Sequence, residues 1–163
     1  MATHSPAPVI DAAIEVRATP RVVLEAFFDA AALSAWLGSV RSVTIPRALG
    51  PYAVEWPTSG DRDDVLGRLG GVLRGTVLQV ESTRGFSLAD VFWLPPFGNP
   101  VGPMALEMTC RLGVTSDAVP ATRVRVTQTG FEESVRWRRY YEVAQAGWET
   151  SLGSLRALLE KQS

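Results

Sequence analysis

One carboxylate in this chain stands among apolar neighbours. In the segment Phe86-Ser-Leu-Ala-Asp-Val-Phe-Trp, strict alternation puts Phe86, Leu88, Asp90 and Phe92 on one face of a strand. A carboxylate placed there is costly unless it is paired or protonated. Arg74 is the candidate partner, because a regular strand gives it the face of Val72, Thr76, Leu78 and Val80. With both side chains inward, an Arg74–Asp90 pair is the polar anchor of an otherwise apolar cavity. The other register is a bulge near Asp90, which swings it outward and brings Val91 and Trp93 inside, with Gly75 breaking the register of Arg74.

The remaining reactive residues exclude more than they offer. A single histidine, His4, rules against a Ser-His-Asp or Cys-His arrangement and against a His-rich metal site. It lies in Met1–Pro8, which has no periodicity and reads as a flexible terminus. A single cysteine, Cys110, forbids an internal disulfide and reads as a small buried apolar residue, not a nucleophile. Asp61, Asp63 and Asp64 cluster, yet the segment lacks the glycine and glutamate of a calcium loop. It reads as a solvated hairpin tip. Gly67, Gly70 and Gly71 do not form a GxGxxG pattern and open no helix, so neither cofactor nor metal is expected.

The chain has 163 residues, 46% hydrophobic and 20% charged, with a formal net charge of −1. That length suits one domain, here residues 9–161 after a terminus of 1–8, and the charge balance gives no footprint for nucleic acid. No apolar run reaches the ~18–20 residues of a spanning helix, and no leader pattern opens the sequence. The expectation is a cytoplasmic protein without membrane insertion.

The elements that must position these groups can be laid out in order. Pro8–Arg17 alternates as a half-buried strand. Thr19-Pro20 reads as N-cap and first residue of a helix, and Asp29 caps a second short helix that Gly38 ends. Strand patterns follow at Val40–Ile45, Tyr52–Trp56, Arg68–Ser82, Phe86–Trp93, Ala105–Val114 and Thr122–Thr129. From about Glu133 to Lys161 one long helix carries Trp137, Tyr140 or Tyr141, Ala144, Trp148, Leu152, Leu155 and Leu159 at spacings of three or four. That stripe has only the sheet to lie on. The fold class is therefore α+β: a curved antiparallel sheet of six or seven strands around a long C-terminal helix.

Five segments in this order resemble the START-like helix-grip superfamily (the Bet v 1-like fold), and within it the Hsp90-ATPase-activator-homologue-like branch. They are ATPRVVLEAFFDAAALSAWLG, GPYAVEW, GTVLQVESTRGFSL, TRVRVTQTGFEES and AGWETSLGSLRALLEK. The resemblance implies a sheet gripping the last helix, with an apolar cavity between them for a ligand. Trp36 stands where that branch often shows two tryptophans, and Gln128 where it often has histidine.

Alternation then names the cavity candidates: Tyr52, Val54 and Trp56 on one strand, Phe86, Leu88, Asp90 and Phe92 with Arg74 on the central pair. Leu106 and Met108 follow, with Cys110 and Leu112 on their face. The helix would add Tyr141 (or Tyr140), Ala144 and Trp148, and Trp36 with Leu37 would cap one end. The expected function is binding of a small hydrophobic molecule. The resemblance also implies two alternatives: a cyclase or aromatase-like enzyme using Asp90, Arg74 and a tyrosine, or a modulator of a chaperone ATPase. Leu94, Phe97, Val101 and Met104 form an apolar set that a homodimer, or a fold back over the cavity mouth, would cover.

Overall fold

The computed structural model describes residues 7–115 and 117–161, so His4 and most of the expected flexible terminus lie outside the described residues. Strand β1 (Ile10–Val16) leads into α1 (Pro20–Ala26) and α2 (Ala30–Leu37). The caps are those the sequence announces. Thr19 accepts from the Val22 amide, Asp29 accepts from the Ala32 amide, and Gly38 ends α2 with φ 77°.

Strands β2 (Arg41–Thr44), β3 (Pro51–Trp56), β6 (Gly71–Glu81), β7 (Gly85–Leu94), β8 (Val101–Val114) and β9 (Pro120–Thr129) join β1 in one sheet. Its order is β1-β9-β8-β7-β6-β3-β2, every neighbour antiparallel. Helix α3 (Val135–Lys161) crosses the concave face, about 40 Å long at ~1.5 Å per residue. Leu152, Leu155 and Leu159 are buried beneath it, so its C-terminal half is plain core.

The central hairpin settles the question left open at Asp90. Leu88 pairs with Val77 and Ala89 with Thr76, but the next aligned pair is Phe92 with Arg74. Two residues of β7, Asp90 and Val91, thus stand opposite the single Gly75. Asp90 is the bulged residue, with φ 52°, and it is exposed. The bulge inverts the alternation: Phe86 and Leu88 face in before it, Val91 and Trp93 after it. Asp90 and Phe92 therefore do not face the concave side. Nor does Arg74, because β6 pairs Leu73 with Val54 and Gly75 with Tyr52, leaving Arg74 on the outer face beside Ala53. No Arg74–Asp90 anchor exists.

Other expectations need similar correction. Val101 and Met104 are not loop residues awaiting cover; both lie in β8 and are buried, leaving Phe97 at 71% exposure. Leu112 lies past the covered part of β8 and is 63% exposed. The acidic loop is not merely a solvated tip. Residues β4 (Arg62–Asp63) and β5 (Gly67–Arg68) form a small ribbon, and the Asp63 carboxylate is only 7% exposed. Its Oδ2 accepts from the Val65 and Leu66 amides, at 3.0 and 2.9 Å, and its Oδ1 accepts from Arg139 Nε of α3 at 2.8 Å. Asp61 and Asp64 remain exposed.

Two stability measurements check these assignments. A left-handed backbone suits glycine and is poor for a β-branched residue. In urea unfolding, Asp90→Gly should hold or raise stability, and Asp90→Val should lose about 1–3 kcal/mol; a valine variant as stable as wild type would refute the bulge. The Arg139 guanidinium, helped by the Leu66 amide, pulls the Asp63 carboxyl down to about 2. Since a free aspartate titrates near ~3.9, the stability from this contact is complete above about pH 4 and is lost as pH falls toward about 2. Thermal midpoints of Asp63→Asn should be lower than wild type at neutral pH and flatter across that acid window.

Candidate ligand-binding site

The N-terminal half of α3 does not sit down on the sheet. Between them lies a cavity of about 540 Å³, inside the ~300–1,000 Å³ range of small-molecule sites. Its floor is Leu73 of β6, Trp93 of β7 and Gln128 of β9; its helical wall is Tyr140, Val143, Ala144, Gly147, Trp148 and Ser151. The end of α2 contributes Leu37 and Gly38. Trp56 and residues 57–59 form the side next to them, and the ribbon adds Leu66 and Leu69 to the wall. Because Asp63 ties this ribbon to Arg139, the same contact that stabilises the fold holds Leu66 in the cavity wall.

Of the residues anticipated for this site, Leu37, Trp56, Ala144 and Trp148 line the cavity, and of the pair Tyr140 or Tyr141 it is Tyr140 that does. Trp36, Tyr52, Val54, Phe86, Leu88, Leu106 and Met108 are on the concave side and buried, but they pack into the core beside the cavity, not around it. The reason is an aromatic cluster under the two short helices. Phe27 meets Trp36 and Phe86 edge-on, Phe28 meets Tyr52 and Phe86, and Tyr52 stacks on Phe86 at 5.4 Å. The polar tips are spent there as well: Trp36 Nε1 donates to the Ala26 carbonyl, and the Tyr52 hydroxyl donates to that of Phe27. Burial raises the Tyr52 phenol well above its ordinary value. Tyr141 is not a cavity residue; it meets Phe131 edge-on, and its neighbour Tyr140 takes the inward position.

Gln128, Trp93 and Tyr140 are the wall residues whose importance the sequence pattern understated. Gln128 is 0% exposed, so its amide must be satisfied within the protein. Its Oε1 accepts from Trp148 Nε1 at 3.2 Å, while Nε2 donates to Tyr140 Oη at 3.2 Å and to Met104 Sδ at 3.1 Å. The Tyr140 ring is held between Trp93 and Phe131, stacked at 5.6 and 5.9 Å, and burial pushes its phenol up to about 12. The signal for Gln128 was available: it continues the inward series Val124, Val126 on β9. Trp93 faced inward only in the bulged register, one of the two left open at Asp90.

Among the described residues no Asp, Glu, Lys, Arg or His borders the cavity. Among the described residues no three His, Cys, Asp or Glu side chains come together as metal ligands would. Cys110 is buried near Met108 and away from the cavity, its thiol pushed up to about 11 by burial, which suits packing and not nucleophilic attack. The described helices include none long and apolar enough to cross a membrane.

The fold has counterparts among known structures. Protein MLL2253 from Mesorhizobium loti is 22% identical with a TM-score of 0.66, over 96% of this chain and 99% of that one. Protein Ms6760 from Mycobacterium smegmatis is 16% identical with a TM-score of 0.66, over 95% and 92%. The Aha1 dimer from Colwellia psychrerythraea is 16% identical with a TM-score of 0.59, over 94% and 96%. At these identities the likeness is one of fold. No curated protein matches in sequence. The family model for Activator of Hsp90 ATPase homolog 1-like protein matches residues 17–160, nearly the whole domain from the end of β1 to the last turn of α3. The chain belongs to the Activator of Hsp90 ATPase homolog 1-like family.

Proposed function

We propose that the protein binds a small hydrophobic molecule in the cavity between the sheet and the N-terminal half of α3. The carrying observation is the wall itself, where the aromatic rings of Trp56, Trp93, Tyr140 and Trp148 surround about 540 Å³ and, among the described residues, no charged side chain joins them. Apolar walls with a few placed polar groups are what small-molecule sites use. The enzymatic alternative needed an acid, a base and a tyrosine together, and Asp90 and Arg74 lie on the opposite face of the sheet from Tyr140. The family name points to activation of the Hsp90 ATPase, but the feature this chain offers is the cavity. We place the binding in a reducing, cytoplasmic setting, in keeping with the free Cys110.

Native mass spectrometry of freshly purified protein should reveal a co-purified apolar molecule. Nile red supplies the controlled comparison. Ala144→Leu adds a larger side chain to the wall at little cost in helix propensity, so it should weaken Nile red binding at least about tenfold while the domain stays folded. Leu155→Ala, in the packed half of the helix, should lose about 2–5 kcal/mol of stability and leave Nile red affinity unchanged at a temperature where it remains folded. Equal affinity in wild type and Ala144→Leu would refute the cavity as the binding site.

A further inference from the structure

The polarity of the ligand follows from how the cavity's hydrogen-bonding groups are already spent, given the binding reading above. Three indoles border the cavity and each N–H is taken by the protein. Trp56 Nε1 donates to the Leu37 carbonyl and Trp93 Nε1 to the Gly70 carbonyl, both at 2.8 Å, and Trp148 Nε1 donates to Gln128 Oε1. These rings therefore present only π-faces and edges to a ligand.

An indole N–H cannot accept, so the contact with Trp148 fixes the Gln128 amide with its oxygen toward that ring. Its nitrogen must then face Met104 Sδ and Tyr140 Oη, and both amide protons are committed. Tyr140 is thus an acceptor in its contact with Gln128. A phenol that accepts still has its own proton to give, and among the described residues no hydrogen bond donated by the Tyr140 hydroxyl is found. Stacking between Trp93 and Phe131 keeps the ring from turning elsewhere. With the phenol pushed up to about 12, that proton is present at any physiological pH. An ionic ligand group, by contrast, would lose its hydration with no counter-charge among the described residues of the wall.

We propose that the cavity takes a neutral, flat, largely aromatic molecule whose inner end carries a hydrogen-bond acceptor, a carbonyl oxygen, received by the Tyr140 O–H. Carboxylic acids are discriminated against by the same wall.

Three matched naphthalenes test this: Prodan, which is a dimethylaminonaphthalene ethyl ketone; the parent dimethylaminonaphthalene; and the corresponding naphthoate anion. Wild type should bind the ketone about fivefold to tenfold more tightly than the parent, the worth of one net hydrogen bond, and the naphthoate at least about tenfold more weakly than the ketone. In Tyr140→Phe the ketone should fall to the affinity that the parent has for the same variant. The infrared carbonyl band of the bound ketone should lie at lower frequency in wild type than in an apolar solvent and move back up in Tyr140→Phe. Equal binding of ketone and parent to wild type would overturn the acceptor assignment and leave the cavity reading standing. So would a ketone preference that survives in Tyr140→Phe, or naphthoate binding as tight as the ketone. Failure of both neutral probes to bind wild type would overturn the cavity reading and this one together. Should Tyr140→Phe fail to fold, the wild-type infrared band decides alone, and an unshifted band overturns the proposal.

Discussion

The concave face depends on one close approach, that of Val91 to the backbone of Gly75. A Cβ at Gly75 would stand 3.0 Å from Val91 Cγ2 and 3.2 Å from the Ala89 carbonyl oxygen, tight enough that its neighbours would have to give way by a few tenths of an ångström. Glycine lets β7 carry its extra residue opposite β6, and the extra residue reverses which side chains face α3. Trp93 comes inside and Asp90 goes to water. A second irregularity, two residues of β8 between Val101 and Met104 against one of β7, keeps Val101 and Met104 inside as well. The apolar wall of the cavity is thus a product of backbone register as much as of composition.

Polar satisfaction explains why the two halves of α3 behave differently. The C-terminal half offers only leucines to the sheet and packs directly. The N-terminal half meets Gln128, whose amide links Trp148 and Tyr140 through two contacts and reaches Met104 of β8 with a third. A buried amide costs free energy unless its groups are paired, so both helix residues are held at the distances hydrogen bonds require. In β4, the Asp63 carboxylate performs two tasks with two oxygens, one turning the ribbon and the other binding Arg139. Leu66 is buried as a result.

How much of this the sequence revealed depended on the range of the interaction. Local grammar was readable: Thr19-Pro20, Asp29 and Gly38 are caps whose chemistry is complete within four residues. Period-two alternation placed Tyr52, Val54, Leu106, Met108, Val124 and Val126 on the correct face. The family resemblance predicted the sheet around the helix, as found. Alternation failed at Asp90 because a bulge changes the phase, and the choice between phases lies in Gly75 on the neighbouring strand. Whether an inward residue would meet core or cavity was also hidden. Tyr52 and Phe86 look like ligand contacts until Phe27 and Phe28 arrive from the turn after α1 to fill that end. The exchange of Tyr141 for Tyr140 is a matter of helix rotation, settled by Trp93 and Phe131. Asp63 was misread because its partner is 76 residues away.

The grip of α3 on β1 has a consequence for the free margins of the sheet. Gln145 reaches across and makes both an acceptor and a donor contact with the backbone of Asp11, and Glu160 accepts from the Arg17 amide. Side chains of the helix thereby stand where another strand would otherwise pair. The opposite margin, β2, is protected differently: it is four residues long and begins with Arg41, whose guanidinium is engaged with Glu55 of β3. A short, charged margin on one side and an occupied one on the other deny strand-by-strand growth a template. The domain can therefore keep an open apolar chamber without also exposing the backbone edges through which β-rich proteins polymerise.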